Sequence, residues 1–207
     1  MGKFWQYIPA ATPLFTYISF MSQADIDVFI DSVYNGTLEV PTAVVTRRIF
    51  VNGRHSRRGF TALQYAVLCK RSQVVVALLA AGADASKKNL SGETSIWEGA
   101  AYSTAHILQL LIDGGGSVNE PDNFGQTPLI ALVRYNFGDA AARLQVLLAC
   151  IELDLHATYD GKTAEQWAVH TGYSDLAVAI AEGARWVGLR AAWIGVAVTR
   201  TLAASYI

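Results

Sequence analysis

Apolar residues in this chain gather in short blocks, and the blocks repeat. The segment Gly59-Phe60-Thr61-Ala62-Leu63-Gln64-Tyr65-Ala66 aligns with Gly92-Glu93-Thr94-Ser95-Ile96-Trp97-Glu98-Gly99. Two more copies follow, Gly125-Gln126-Thr127-Pro128-Leu129-Ile130-Ala131-Leu132 and Gly161-Lys162-Thr163-Ala164-Glu165-Gln166-Trp167-Ala168. The leading glycines are 33, 33 and 36 residues apart. A second apolar block recurs inside each period, at Val74–Leu79, His106–Ile112, Leu144–Leu148 and Leu176–Ile180. Two of these blocks end in small-residue turns, Gly82-Ala83-Asp84 and Gly115-Gly116-Ser117, each ten residues before the next repeat glycine. A fixed period of this length is the signature of stacked supersecondary units.

The pattern resembles the ankyrin repeat family, whose core is G-x-T-P-L-H-x-A followed by a second helix and G-A-D/N-V-N. The resemblance covers about residues 59–184. It implies an all-α solenoid in which each unit is two short antiparallel helices plus a hairpin finger. Such a unit cannot bury its apolar face alone, so stacking must create the core. Thr61, Thr94, Thr127 and Thr163 then stand where a hydroxyl can cap the unpaired N–H groups of a first helix. Pro128 suits the first helical turn. Gly82 and Gly115 stand where the second helix must stop in a left-handed residue. The expected inter-repeat core is Leu63, Ala66, Leu78, Leu79, Leu110, Leu111, Leu129, Leu147 and Leu148.

Departures from the pattern carry expectations of their own. The family's histidine is replaced by Gln64, Trp97, Ile130 and Gln166, so its hydrogen bond across the repeat is expected to survive only at the glutamines. The third unit has three extra residues, placed around Tyr135–Ala142 between its helices. Its exit, Ile151-Glu152-Leu153-Asp154, lacks the usual glycine. The fourth unit reads as a divergent cap, with Glu165 at the usual leucine position. Upstream, Asp25–Tyr34 has apolar residues at 26, 29, 30 and 33, the spacing of a one-sided helix, stopped by Asn35-Gly36. Pro41 opens a second short helix there. Downstream, Arg185–Ser205 can form a helix with Val187, Ile194, Val198 and Leu202 on one side. The expected organisation is an apolar segment over 1–24, an amino-terminal capping or degenerate unit over 25–56, four repeats over 57–184 and a helical cap over 185–207.

Composition narrows the function. The chain has 207 residues, 52% hydrophobic and 16% charged, too apolar for an intrinsically disordered protein. Residues 4–24 are uncharged and end in the small-x-small pattern Ser22-Gln23-Ala24. Gln6, Pro9, Thr12, Pro13 and Thr16 break that run, which argues against a membrane helix. A cytoplasmic protein is expected, secreted or periplasmic only if 1–24 act as a signal peptide. Cys69 and Cys150 lack metal-ligand spacing and read as buried thiols. His55, His106, His156 and His170 share no metal-ligand spacing either. Gly114-Gly115-Gly116 follows a helix and precedes no Gly-Lys-Ser/Thr, so it is an inter-repeat turn rather than a phosphate loop. No catalytic set, metal or cofactor is expected.

Charge is the feature that rises above this background. The net charge of −1 divides into +5 for residues 1–90 and −6 for residues 91–207. Arg47, Arg48, Arg54, His55, Arg57 and Arg58 fall within twelve residues, and Arg54–Arg58 should form the first finger. Lys87 and Lys88 fall in the second, Glu120 and Asp122 in the third, His156 and Asp160 in the fourth. Nucleic acid is not expected as a partner, because the chain is acidic overall and lacks a reading motif. The resemblance implies a non-catalytic module that binds another protein through its concave face and fingers. The candidate contact residues are Arg54, Arg57, Arg58, Lys87, Lys88, Glu120 and Asp122, with Tyr65, Trp97 and Tyr135 as aromatic anchors. The partner is expected to be acidic opposite the first two fingers, with no homo-oligomer required. A stand-alone inhibitor, such as a bacterial immunity protein that blocks a cognate toxin, is the alternative.

Overall fold

The computed structural model describes residues 22–36 and 51–185. The segment 1–24 (except its last three residues), the second helix expected after Pro41, Arg47 and Arg48, and the cap expected over 185–207 beyond its first residue lie outside them. The elements in chain order are α1 (Gln23–Asn35), α2 (Ala62–Leu68), α3 (Ser72–Ala80), α4 (Ser95–Tyr102), α5 (Ala105–Asp113), α6 (Pro128–Tyr135) and α7 (Ala140–Leu148). A two-stranded hairpin, β1 (Thr158–Tyr159) and β2 (Lys162–Thr163), precedes α8 (Ala164–His170), and a further helix, α9, occupies 174–185.

Short-range chemistry sets each helix. The side chains of Thr61, Thr94, Thr127 and Thr163 accept from the backbone N–H of Gln64, Trp97, Ile130 and Gln166, capping α2, α4, α6 and α8. Pro128 begins α6, where no partner for an N–H is lost. Thr104 and Asp139 cap α5 and α7. Gly36, Gly82 and Gly115 are left-handed at φ +76°, +85° and +85°, ending the helices before them.

These helices are too short to stand alone, and packing decides the rest. An inner row runs α1, α2, α4, α6, α8, each in contact with the next, and an outer row runs α3, α5, α7. The result is an all-α solenoid with one continuous apolar seam between the rows. Phe29, Ile30 and Val33 of α1 are buried at its start, and Leu63, Leu78, Ile107, Leu111, Leu129 and Leu147 carry it through the stack. Leu79, Leu110 and Leu148 are half-buried at its margin rather than inside it. Leu111→Ala should therefore cost about 2–5 kcal/mol, and Leu79→Ala clearly less. Thermal melts of the two variants check this ordering, and equal losses would contradict it.

The third unit departs from the expected insertion. The outer helix begins 13 residues after the repeat glycine in the first, second and fourth units and 15 after it in the third. Two of the three extra residues thus lie in the loop 136–139, and the third lies in the exit turn. That exit has no left-handed residue. It closes through Cys150 N–H to the Leu147 carbonyl and Leu153 N–H to the Cys150 carbonyl. The cross-repeat hydrogen bond also differs from expectation. Gln64 Nε2 donates to the Glu93 carbonyl at 2.7 Å, as foreseen, but Trp97 Nε1 donates to the Gln126 carbonyl at 2.9 Å. An indole N–H is a donor of similar reach, so tryptophan takes the role that was expected of glutamine alone.

Candidate protein-interaction site

The fingers are built by their own polar side chains. In the second finger, Asn89 Oδ1 accepts from the N–H groups of Ser91 and Glu93 at 2.9 and 3.0 Å. In the third, Asp122 Oδ1 accepts from Phe124 and Gln126 at 2.9 and 2.8 Å. In the first, His55 Nδ1 accepts from Arg57 N–H at 3.2 Å. Successive fingers then lock together. Asn123 N–H donates to the Ser91 carbonyl and its side-chain amide to the Leu90 carbonyl, both at 2.9 Å. Gly59 and Gly92 sit where this stacking is tightest. Both have positive φ, and a Cβ there would meet Leu90 or Asn123 within 3 Å, so only glycine lets neighbouring fingers touch. Asparagines fasten the exits as well: Asn52 bonds to Gly82 and Asp84, and Asn119 to Glu152 and Asp154.

The charged candidates separate into those that form ion pairs and those that do not. Lys88 Nζ lies 2.7 Å from Glu120 and also donates to the Pro121 carbonyl. These two neutralise each other across the second and third fingers. Lys87 stands 3.8 Å from Asp84 in an exposed pair. The finger row is therefore not a plain gradient from basic to acidic. Arg54, Arg57 and Arg58 of the first finger are exposed and form no ion pair among the described residues.

Beside that finger the chain forms a cleft of about 540 Å³, walled by α1 on one side and Arg57, Arg58 and His55 on the other. Tyr65 also lines it. Asp27 of α1 accepts from Ser56 N–H at 2.9 Å, Ser56 Oγ at 2.5 Å and Gln23 Nε2 at 2.9 Å. These donors hold its carboxyl at about 2, below the usual range. Asp31 stands 3.4 Å from His55.

With this architecture in place, comparison with known proteins is direct. Residues 58–90 match the family model of the ankyrin repeat. That segment is similar to the ankyrin repeat family, and the all-α solenoid fits the ankyrin fold. The Neurogenic locus Notch protein of Drosophila melanogaster is 35% identical over 117 residues, which are 54% of this chain and 4% of that protein. Ankyrin repeats are generally non-catalytic protein–protein interaction modules. Among the described residues of this chain, no helix is long and apolar enough to cross a membrane, and no group of three His, Cys, Asp or Glu is placed to hold a metal ion.

Three of the contact residues expected from the sequence need correction. Trp97 is 1% exposed, because its ring packs against Tyr102 and Tyr135 and its N–H is taken by the next unit. It is a core residue of the ankyrin stack, not a contact. Asp122 is 7% exposed, its carboxylate turned into the finger it builds. Tyr65 is 6% exposed and wedged against Tyr34, His55 and Phe60 at ring distances of 5.3, 6.3 and 5.1 Å, so it offers little more than the edge that lines the cleft. Burial raises its hydroxyl's pKa, partly offset by Arg58. Tyr135 remains exposed, in a cluster with Tyr102 and the protruding Phe137. Sequence reasoning missed Tyr34, Phe124 and Phe137, all well exposed. The 33-residue register could have flagged Phe124 as a finger tip, since it lies directly before its repeat glycine as Arg58 does.

Proposed function

We propose that this chain is a non-catalytic binding module that holds a partner protein against its inner helices and fingers, with acidic groups of the partner facing the first finger. The observation that carries this reading is the set of exposed arginines, Arg54, Arg57 and Arg58, left without ion pairs among the described residues and next to a cleft. Large or planar cationic side chains beside aromatic surface are the groups that dominate binding energy in protein interfaces. Lys87 adds to this end of the row, whereas Lys88 and Glu120 are paired with each other and contribute fixed shape. On this reading α1 and the first finger present the contact surface at one end of the described residues.

Panning a displayed random-peptide library on the purified chain tests the proposal. Enrichment of acidic peptides is expected, with association slowing as salt rises, because rim charges act mainly on the encounter rate. Arg57→Glu with Arg58→Glu should weaken the selected peptides at least tenfold, and Arg185→Glu, at the far end of the stack, should leave them unchanged. The reading fails if the library yields no binder, or if the selected binders are basic and indifferent to the first finger.

A further inference from the structure

We infer that the cleft between α1 and the first finger is the primary recognition pocket, and that it takes a short peptide segment carrying an aromatic or large aliphatic side chain next to Asp or Glu. This deepens the binding-module reading and rests on it. The two walls of the cleft differ in chemistry. The α1 wall presents Val28 and Tyr34, 57% and 53% exposed, the kind of surface that an apolar side chain covers. The finger wall presents the guanidinium groups of Arg57 and Arg58, each a rigid fork that matches a carboxylate with two parallel hydrogen bonds.

The acidic groups in the cleft do not compete for those arginines. Asp27 is held by Ser56 and Gln23, and Asp31 faces His55. Both carboxylates belong to α1, so the electrostatic field runs from a negative helix wall to a positive finger wall. That field orients the ligand. Its carboxylates must point to the finger while its apolar side chain lies over Val28 and Tyr34. The Asp27–Ser56 bonds tie α1 to the finger and fix the spacing between the walls, so the pocket is formed before the ligand arrives.

The probe is a fluorescein-labelled hexapeptide amide, Glu-Glu-Leu-Tyr-Glu-Glu, read by fluorescence anisotropy at low and physiological salt. Its Lys-for-Glu and Ala-for-Leu/Tyr counterparts serve as comparisons. The acidic peptide should bind and the lysine peptide should not, and the alanine peptide should bind at least tenfold more weakly. Arg57→Gln with Arg58→Gln should lower affinity tenfold or more, and Tyr34→Ala by a similar factor. Both arginines and Tyr34 are exposed, and circular dichroism of the variants should match the parent. Amide chemical-shift changes on titration should concentrate at residues 24–34 and 54–65. Equal binding of the lysine peptide, or shifts centred on the third and fourth fingers, overturns the assignment. Library-selected binders that weaken on the Arg57/Arg58 change but ignore Tyr34→Ala and shift no amides at residues 24–34 would overturn this pocket while leaving the binding-module reading intact, and a library without binders would remove both.

Discussion

Replacing Glu98 by glutamine is expected to raise the melting temperature at pH 7.5 by about 5–10 °C and to flatten the stability profile above pH 5. Glu98 lies in α4, 1% exposed, with the Glu93 carboxylate beside it and only a long 3.4 Å contact from the Asn89 amide. That amide sits closer to Glu93, at 2.6 Å. Burial, reinforced by the neighbouring Glu93 charge, pushes the Glu98 carboxyl from 4.5 up to about 9. The sign follows from linkage. Below about pH 4.5 the group is protonated in both folded and unfolded chains, and its burial carries no ionisation cost. As pH rises the unfolded chain ionises freely while the folded chain keeps its proton, so stability falls steadily until the folded pKa is passed. Three pH units of that fall, at about 1.4 kcal/mol each, bound the loss at pH 7.5. Glutamine keeps the shape, removes the titration and can donate to Glu93, so a gain of about 2–3 kcal/mol is expected, which at this chain length moves Tm by about 2–4 °C per kcal/mol. Parallel melts of parent and variant from pH 4.5 to 9 decide it. A variant whose profile keeps the parent's slope would show that Glu98 is not the group responsible.

Glu98 also shows where reading a sequence reaches its limit. The 33-residue register was legible because helix caps and turn glycines act over three or four residues, and each threonine found its N–H group where the spacing placed it. Burial of a particular side chain is set by neighbours 30 or more residues away. Glu98 occupies the same register position as Tyr65, one unit later, and nothing local marks it as buried. Asp122 reads as a surface charge at a hairpin, yet the finger's own backbone turns it inward. Trp97 could have faced either way, and it was settled by the carbonyl of Gln126 in the next unit. The pairing of Lys88 with Glu120 is likewise a contact between fingers that only the stack creates. The cleft beside the first finger needed the position of α1 relative to Arg57 and Arg58, which no spacing along the chain contains.

Arg143→Met is expected to lower stability by about 3–5 kcal/mol and to divide a single melting transition into two. Arg143 of α7 is fully buried. It forms no ion pair among the described residues, although the Asp139 charge lies near enough to offset part of the cost of burial. Its Nη1 donates to the Ala100 carbonyl at 2.7 Å, its Nε to the Asp139 carbonyl at 3.3 Å and its Nη2 to the Phe137 carbonyl. The Ala100 carbonyl belongs to the last turn of α4, where no helical N–H remains to pair with it. The other two belong to the loop that carries the third unit's extra residues, bent through left-handed Asn136 and Gly138. One guanidinium thus joins the second unit's inner helix to the third unit's irregular loop, although burial lowers its pKa and disfavours its charge. Methionine fills similar volume but donates nothing, leaving three carbonyls unpaired at about 1–3 kcal/mol for each that stays buried. Lysine, with one donor centre, should recover part of the loss. Because a solenoid is held by nearest-neighbour interfaces, weakening this junction should let the units before and after it unfold separately. Hydrogen exchange should quicken at Asn136–Asp139 and at the end of α4 before it does at α2. A single transition at the parent's temperature would mean that the buried guanidinium contributes no net stability to the junction.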